Sequence, residues 1–320
     1  VRLSSTEFDG RRKTAKAHGM MVVTTLLIAT SFPVAASVAG VLDSLLLTLL
    51  RFLLASLLFL PLVVLRHRSD VIPTWRDLVR YSALSAPLVG FFVAMFEALR
   101  TTTATNTGAL FTFGPSVAAL FAFFLVGERL SGARLGALVT GLVGAVWVVF
   151  RGDPSRLAEL DLVSGDALFI AGTAALGLYT VLIKRLRGDE PMAVLTFWTL
   201  VTGTGWLLVL GGDALVGVRW SEVEAKVFVA ISYLALFTTL ITFLLTQIGV
   251  TVIGPTRAMA YTYMNPALVA LLAWALGEGA IGWRSLPGIG LTLVSLVVIL
   301  RASPPQEVAD DERPQILAGG

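Results

Sequence analysis

The chain has no cysteine, two histidines and little charge: Asp, Glu, Lys and Arg make up 14% of its 320 residues. Each shortage excludes something. Without cysteine there is no disulfide, no thiolate metal site and no cysteine nucleophile, and thiol usage says nothing of the redox compartment. His18 and His67 lie in charged flanks rather than in apolar runs, so no histidine-based metal or acid/base site is expected within those runs. A soluble chain would carry about 25% charged residues. Here 56% of residues are hydrophobic and the mean hydropathy is +0.84, which points to a membrane as solvent. The pI of about 9.4 does not indicate nucleic acid. Lys and Arg cluster beside apolar segments, an arrangement that fits anionic lipid head groups.

What is present is organised around one stretch, from Arg100 to Glu128. Between those charges every residue is apolar, small or hydroxylic, over more than the roughly 20 residues a helix needs to cross a bilayer. Pro115 sits near its middle and Gly127-Glu128 closes it. The stretch from Arg257 to Glu278 echoes it, with Pro266 at its midpoint and Gly277-Glu278 at its end. Self-similarity at half the chain length marks an internal duplication of the transporter type.

Taken in order, residues 1–18 form a basic arm, and the charge-free run 19–42 after it reads as an uncleaved first helix. Further helices are expected at 45–65, 79–99, 104–126, 134–150, 166–184, 192–211, 227–248, 257–277 and 284–300. With the N-terminus cytoplasmic, seventeen of the 24 Lys and Arg residues fall on the inner side and six outside, and Arg51 alone lies in a span. Both termini are therefore expected in the cytoplasm. Residues 151–164 form a polar external linker between the halves 19–150 and 165–301, and 302–320 reads as a disordered cytoplasmic tail. Five helices per half is an odd number, so the halves enter the membrane with opposite polarity. The expected fold is all-α and integral to the membrane: ten transmembrane helices as two inverted five-helix repeats.

Several residues in these spans are candidates for function. Arg51 and Glu97 are charges embedded in spans, where a charge costs about 2.5–3.5 kcal/mol. They are expected to pair near the external mouth, or each to snorkel to the interface. Pro33, Pro87, Pro115 and Pro266 each leave the carbonyl four residues earlier without its helical donor, at Ala29, Ala83, Phe111 and Thr262. Such carbonyls can line a pathway or mark a bend. Arg257, Tyr261 and Asn265 form one polar stripe at i, i+4 and i+8, and Asn106 with Thr107 occupies the corresponding end of helix four. Phe91, Phe92, Phe113, Tyr179, Trp198 and Tyr263 could line a cavity or simply pack. Gln247, near Thr242 and Thr246, offers hydrogen bonds within helix eight. Glu128 and Glu278 end their helices at opposite faces and read as structural or gating elements. Gly132, Gly136, Gly141 and Gly144 let helix five approach another helix closely, within the chain or across a homodimer. No paired histidines, carboxylate-rich motifs or phosphate loops appear in the spans. The chain is not expected to be an enzyme or to hold a metal or cofactor.

The chain resembles the EamA family of the drug/metabolite transporter superfamily. The resemblance rests on Ser31-Phe32-Pro33-Val34-Ala35 in the first helix and Arg51-Phe52-Leu53-Leu54-Ala55 in the second. It extends through Ala98-Leu99-Arg100 to Pro115 and Gly127-Glu128, then Gly165-Asp166-Ala167-Leu168 to Tyr179, and Gln247 to Pro266 and Gly277-Glu278. It departs at Ala29-Thr30, where the family usually has Trp-Gly. The resemblance implies a ten-helix bundle with a central cavity and alternating access, and export of amino acids or other small metabolites. The expected setting is the inner membrane, with substrate held between helices one, three and four and helices six, eight and nine. A multidrug or organic-cation exporter is the first rival, disfavoured by the single embedded acid, Glu97. A membrane sensor or enzyme is the rival of another class.

Overall fold

The computed structural model describes residues 5–67, 72–128, 130–155, 162–275 and 282–302. Its elements are helical. They are α1 (Ser5–Ala36), α2 (Ser44–Arg66), α3 (Trp75–Ala98), α4 (Ala104–Val126) and α5 (Gly132–Val149). After the linker come α6 (Ser164–Leu186), α7 (Met192–Gly211), α8 (Ala225–Ile253), α9 (255–275) and α10 (Leu286–Ala302). Among the described residues nine helices are long and apolar enough to cross a membrane, and α9 is a further helical segment of interrupted geometry.

Capping residues fix where several helices begin. Asp43 accepts from Leu45 N at 2.9 Å and starts α2, and Thr74 with Asp77 forms a capping box that starts α3 before the expected residue 79. Thr103 accepts from Asn106 N at 3.1 Å and Ser131 from Arg134 N at 3.3 Å, starting α4 and α5. Each side chain satisfies one of the amide donors that a helix start leaves open. α1 differs from expectation at both ends. The basic arm is already helical from Ser5, and the helix stops at Ala36, three residues past Pro33, instead of reaching 42.

The apolar residues divide between an interior and an outer surface. Phe32, Leu46, Phe52, Phe96 and Phe169 are buried, whereas Leu65 (71% exposed), Phe124 (71%) and Val209 (82%) project outward. Such an apolar exterior is a liability in water and the expected lining of a lipid-facing bundle. Trp75 and Trp283 stand exposed at helix starts, where indole rings suit a membrane–water interface.

Helix packing follows a repeating rule. α3 lies on α6 as α8 lies on α1; α4 lies on α6 as α9 lies on α1; α3 lies on α7 as α8 lies on α2. The pairs α2–α7, α4–α9 and α5–α10 complete the set. Within these nine pairs, exchanging every helix for the one five places along the chain returns the same set. At the α5–α10 crossing the backbones come close: a methyl on Gly144 would stand 2.7 Å from Gly288 O, and against α9 one on Gly141 would stand 2.6 Å from Tyr263 Oη. Gly141 and Gly144 are thus used within the chain, while Gly132 and Gly136 have nothing within 4 Å of the added methyl.

Three helices carry local irregularities. In α4 a 3-10 turn, Phe111–Phe113, precedes Pro115, and in α9 another, Tyr261–Met264, precedes Pro266. In these turns Gly114 N–H donates to Phe111 O and Asn265 N–H donates to Thr262 O. Proline removes its own donor, and the residue before it supplies the bond one position early. The carbonyls expected to be open at Phe111 and Thr262 are therefore taken. α8 carries a π-helical segment, Leu236–Ile241, at its centre. No proline or glycine marks it, and nothing in the residue pattern announces it.

Candidate functional site: a central cavity

The middle of the bundle holds a cavity of about 650 Å³ of non-atom space, open solvent at its mouth included. α1 contributes Met21, Thr24, Thr25, Ile28, Ser31 and Phe32, which recur every three or four residues and so share one face. α8 contributes Thr238, Thr242, Phe243 and Thr246 from its π segment and the turns that follow. Arg51, Phe91, Phe92, Phe111, Tyr179 and Met259 are among the residues that complete the wall. The wall is apolar and aromatic, studded with hydroxyls, and Arg51 is its single charged side chain.

Arg51 is fully buried. Its Nη2 donates to Thr238 O and to Thr238 Oγ1, both at 2.8 Å, and its Nε donates to Thr239 Oγ1. Its Cζ stands 4.2 Å from the centre of the Phe92 ring. Hydroxyl and carbonyl dipoles and one aromatic face thus replace water around the cation. A π turn widens the helix and strains its own hydrogen bonding, and the arginine bonds to a carbonyl inside that turn. The expected pair with Glu97 is not formed. Glu97 is 45% exposed along its side chain, accepts from Ser44 Oγ at 2.8 Å and pairs with Arg100 Nη1 at 3.1 Å. The local i, i+3 partner wins over the one on the neighbouring helix.

Toward the end of the bundle that carries Phe150 and Val163, four rings cluster beside the cavity. Phe32, Phe91, Phe111 and Phe169 stand with ring centres 5.5–6.4 Å apart. Beyond them lies a polar latch. Asp166, buried at the start of α6, accepts from Thr102 Oγ1, from Val163 N at 3.3 Å and from Asn106 Nδ2 at 3.5 Å. It ties α6 to the start of α4. At the opposite end His18 Nδ1 and Tyr261 Oη are 2.7 Å apart and tie α1 to α9. The two latches occupy positions that the five-helix exchange interconverts.

The expected site residues fall into separate groups. Phe32, Arg51, Phe91, Phe92 and Tyr179 line the cavity. Gln247 lies behind it, fully buried, donating to Tyr179 Oη at 3.2 Å and accepting from Thr196 Oγ1. Asn106 belongs to the Asp166 latch and Tyr261 to the His18 latch. Tyr263 packs on Gly141. Pro33, Phe113, Pro115 and Asn265 are not part of the wall, and Trp198 instead stacks on Tyr81 at 6.4 Å. Glu128 pairs with Arg134 at 3.2 Å, Arg257 is buried in the first turns of α9, and Glu278 lies outside the described residues. Asp166, Thr24, Thr25, Thr238 and Thr262 were not among the expected site residues. The spacing of Thr24 and Ser31, and of Thr238, Thr242 and Thr246, carries a signal that would have found two of them, Thr24 and Thr238: hydroxyls repeating on one helical face. Among the described residues no three His, Asp or Glu side chains are grouped so as to hold a metal ion.

Relatives of the chain share its length and character. The Bacillus subtilis protein YyaM, an uncharacterized transporter, is 23% identical over 250 residues, covering 78% of this chain and 81% of its own. An uncharacterized transporter of Archaeoglobus fulgidus is 26% identical over 280 residues, covering 86% of this chain and 94% of its own. The Salmonella typhimurium protein YicL, an uncharacterized inner membrane transporter, is 27% identical over 241 residues, covering 71% and 75%. A solved crystal structure superposes with a TM-score of 0.69 at 21% identity, covering 90% of this chain and 98% of its own, and shares the fold. The sequence profile of the EamA-like transporter family matches twice, at residues 15–150 and 163–301. These two consecutive matches span nearly all of the membrane-embedded chain, which belongs to the EamA-like transporter family.

Proposed function

We propose that the protein is a secondary active transporter of the inner membrane that exports amino acids or related small metabolites by alternating access. The observation that carries this reading is the preserved packing when each helix is exchanged for the one five places along. Such internal symmetry supports ten crossings in two halves of opposite polarity, with α9 as the remaining crossing. A bundle of that kind has two related states, each closing one end of the cavity. The latches at Asp166 and at His18–Tyr261 fit the two closures. Their positions at opposite ends of symmetry-related helices support rocking of one half against the other. The Lys and Arg distribution favours both termini in the cytoplasm, and the description of the Salmonella relative supports the inner membrane.

An organic-cation exporter fits less well, because no carboxylate lines the cavity. The test is counterflow in proteoliposomes: vesicles are loaded with one unlabelled compound and uptake of the labelled compound is followed. Transient uptake above the equilibrium level for an amino acid or small metabolite supports the reading. Equilibration without overshoot for every compound of a panel of amino acids, organic acids and organic cations would remove it.

A further inference from the structure

Three buried polar atoms on cavity-lining residues have no hydrogen-bond partner among the described residues: Arg51 Nη1, Thr24 Oγ1 and Thr262 Oγ1. Other hydroxyls of the wall are occupied. Thr25 Oγ1 donates to Met21 O at 2.9 Å, Ser31 Oγ to Ile28 O at 2.6 Å, Thr180 Oγ1 to Gly177 O at 2.7 Å and Thr242 Oγ1 to Thr238 O at 2.9 Å. Buried donors are almost always satisfied, and an open one on a charged group is the least tolerable kind. The three open atoms come from α2, α1 and α9, so they belong to both halves of the chain.

We infer that these atoms receive the carboxylate of a small organic anion with an apolar body, and that Arg51 Nη1 is the charge-bearing donor. The inference rests on the transporter reading for its setting and sharpens it to a substrate class. Among the described residues the guanidinium is the cavity's one charge and no carboxylate stands beside it, so a bound anion neutralises a buried cation. Phe91, Phe92, Phe111, Phe243 and Met259 would surround the apolar body. An ammonium group finds hydroxyls and aromatic faces in this wall but no carboxylate, and it meets the like charge of Arg51. Cations are refused, and a zwitterion is held less well than the same skeleton without its amine.

Three compounds with one carbon skeleton separate these cases: 3-phenylpropionate, phenylalanine and 3-phenylpropionamide. Binding to the purified full-length protein is read by calorimetry and by ligand-induced thermal stabilisation, independently of flux. The protein is expected to bind the carboxylate at least tenfold more tightly than the amide, the range for one hydrogen bond to a charged group, with phenylalanine between them. In Arg51→Gln the ratio of carboxylate to amide should fall to near one, and Arg51→Lys should keep part of the preference. Because Arg51 also bonds to the π segment, Arg51→Gln could fail to fold; the unmodified protein's preference and the lysine variant then decide. Equal binding of carboxylate and amide by the unmodified protein overturns the inference, as does preference for phenylalanine, failure to bind any of the three, or an unchanged preference in Arg51→Gln. Arginine-dependent binding without counterflow would leave this inference standing and remove the transport reading. Counterflow indifferent to substrate charge would do the reverse.

Discussion

Substituting Gly144 with alanine adds one methyl where α5 crosses α10. The methyl would stand 2.7 Å from Gly288 O, 2.9 Å from Leu291 Cβ and 3.1 Å from Thr292 Cγ2. A carbon rests about 3.3–3.6 Å from a carbonyl oxygen, so the two helices must separate by roughly 0.6 Å or more. No rotamer change relieves a clash with a backbone oxygen. Overpacking of this kind costs about 1–3 kcal/mol, and a gap of about 0.5–1 Å forfeits a quarter to a half of the dispersion attraction along the seam. Against this, alanine is favoured over glycine inside a helix by about 1 kcal/mol. Gly136→Ala isolates that gain, because its methyl meets nothing within 4 Å. The difference between the two variants is therefore the clash itself, about 1–3 kcal/mol. At about 2 °C per kcal/mol for a large chain, Gly144→Ala should melt about 2–6 °C below Gly136→Ala. Size-exclusion chromatography of heated detergent extracts reads this directly. Equal melting of the two variants would refute the close α5–α10 crossing.

Other substitutions test the latches and the support of the cavity. Gln247→Leu removes the partner of Tyr179 Oη and of Thr196 Oγ1; the cost should be about 1–3 kcal/mol, with weaker substrate binding because Tyr179 lines the cavity. Asp166→Ala leaves Thr102, Asn106 and the Val163 amide without their acceptor. It should destabilise the protein by about 1–3 kcal/mol, measured by the same melting assay. Tyr261→Phe removes one hydrogen bond and should cost about 0.5–1.5 kcal/mol. Combined with His18→Ala it should lose less than the two single effects added, as expected of residues in contact.

Much of the helical fold was legible because membrane spans are written in long apolar runs. The cavity wall includes Phe32, Phe91, Phe92 and Tyr179, which the sequence offers as cavity candidates, and Arg51, which it offers instead as an embedded charge near the external mouth. The partner of Arg51 was not legible. Charge pairing offers Glu97, with separate snorkelling as the alternative, but Arg100 lies three residues from Glu97 and takes the carboxylate, while Arg51 turns to hydroxyls and a carbonyl on α8. The π segment escaped because Leu-Phe-Thr-Thr-Leu-Ile resembles any apolar helix and its geometry is imposed by packing. The sequence marks Pro115 and Pro266 as breaks in the helical bonding, but spacing does not reveal that 3-10 turns supply the missing bonds. His18 lies in a charged flank by sequence, yet α1 continues through it and carries it to Tyr261.

The central claim is that the two halves cross the membrane in opposite senses around one cavity. Equivalent loops follow α2 and α7, and the chain contains no cysteine to confuse a label. Ile72 and Ser221 are exposed in those loops. In intact cells a membrane-impermeant maleimide should modify Ser221→Cys, and should modify Ile72→Cys only after the membrane is opened. Modification of both from the same side would contradict the account.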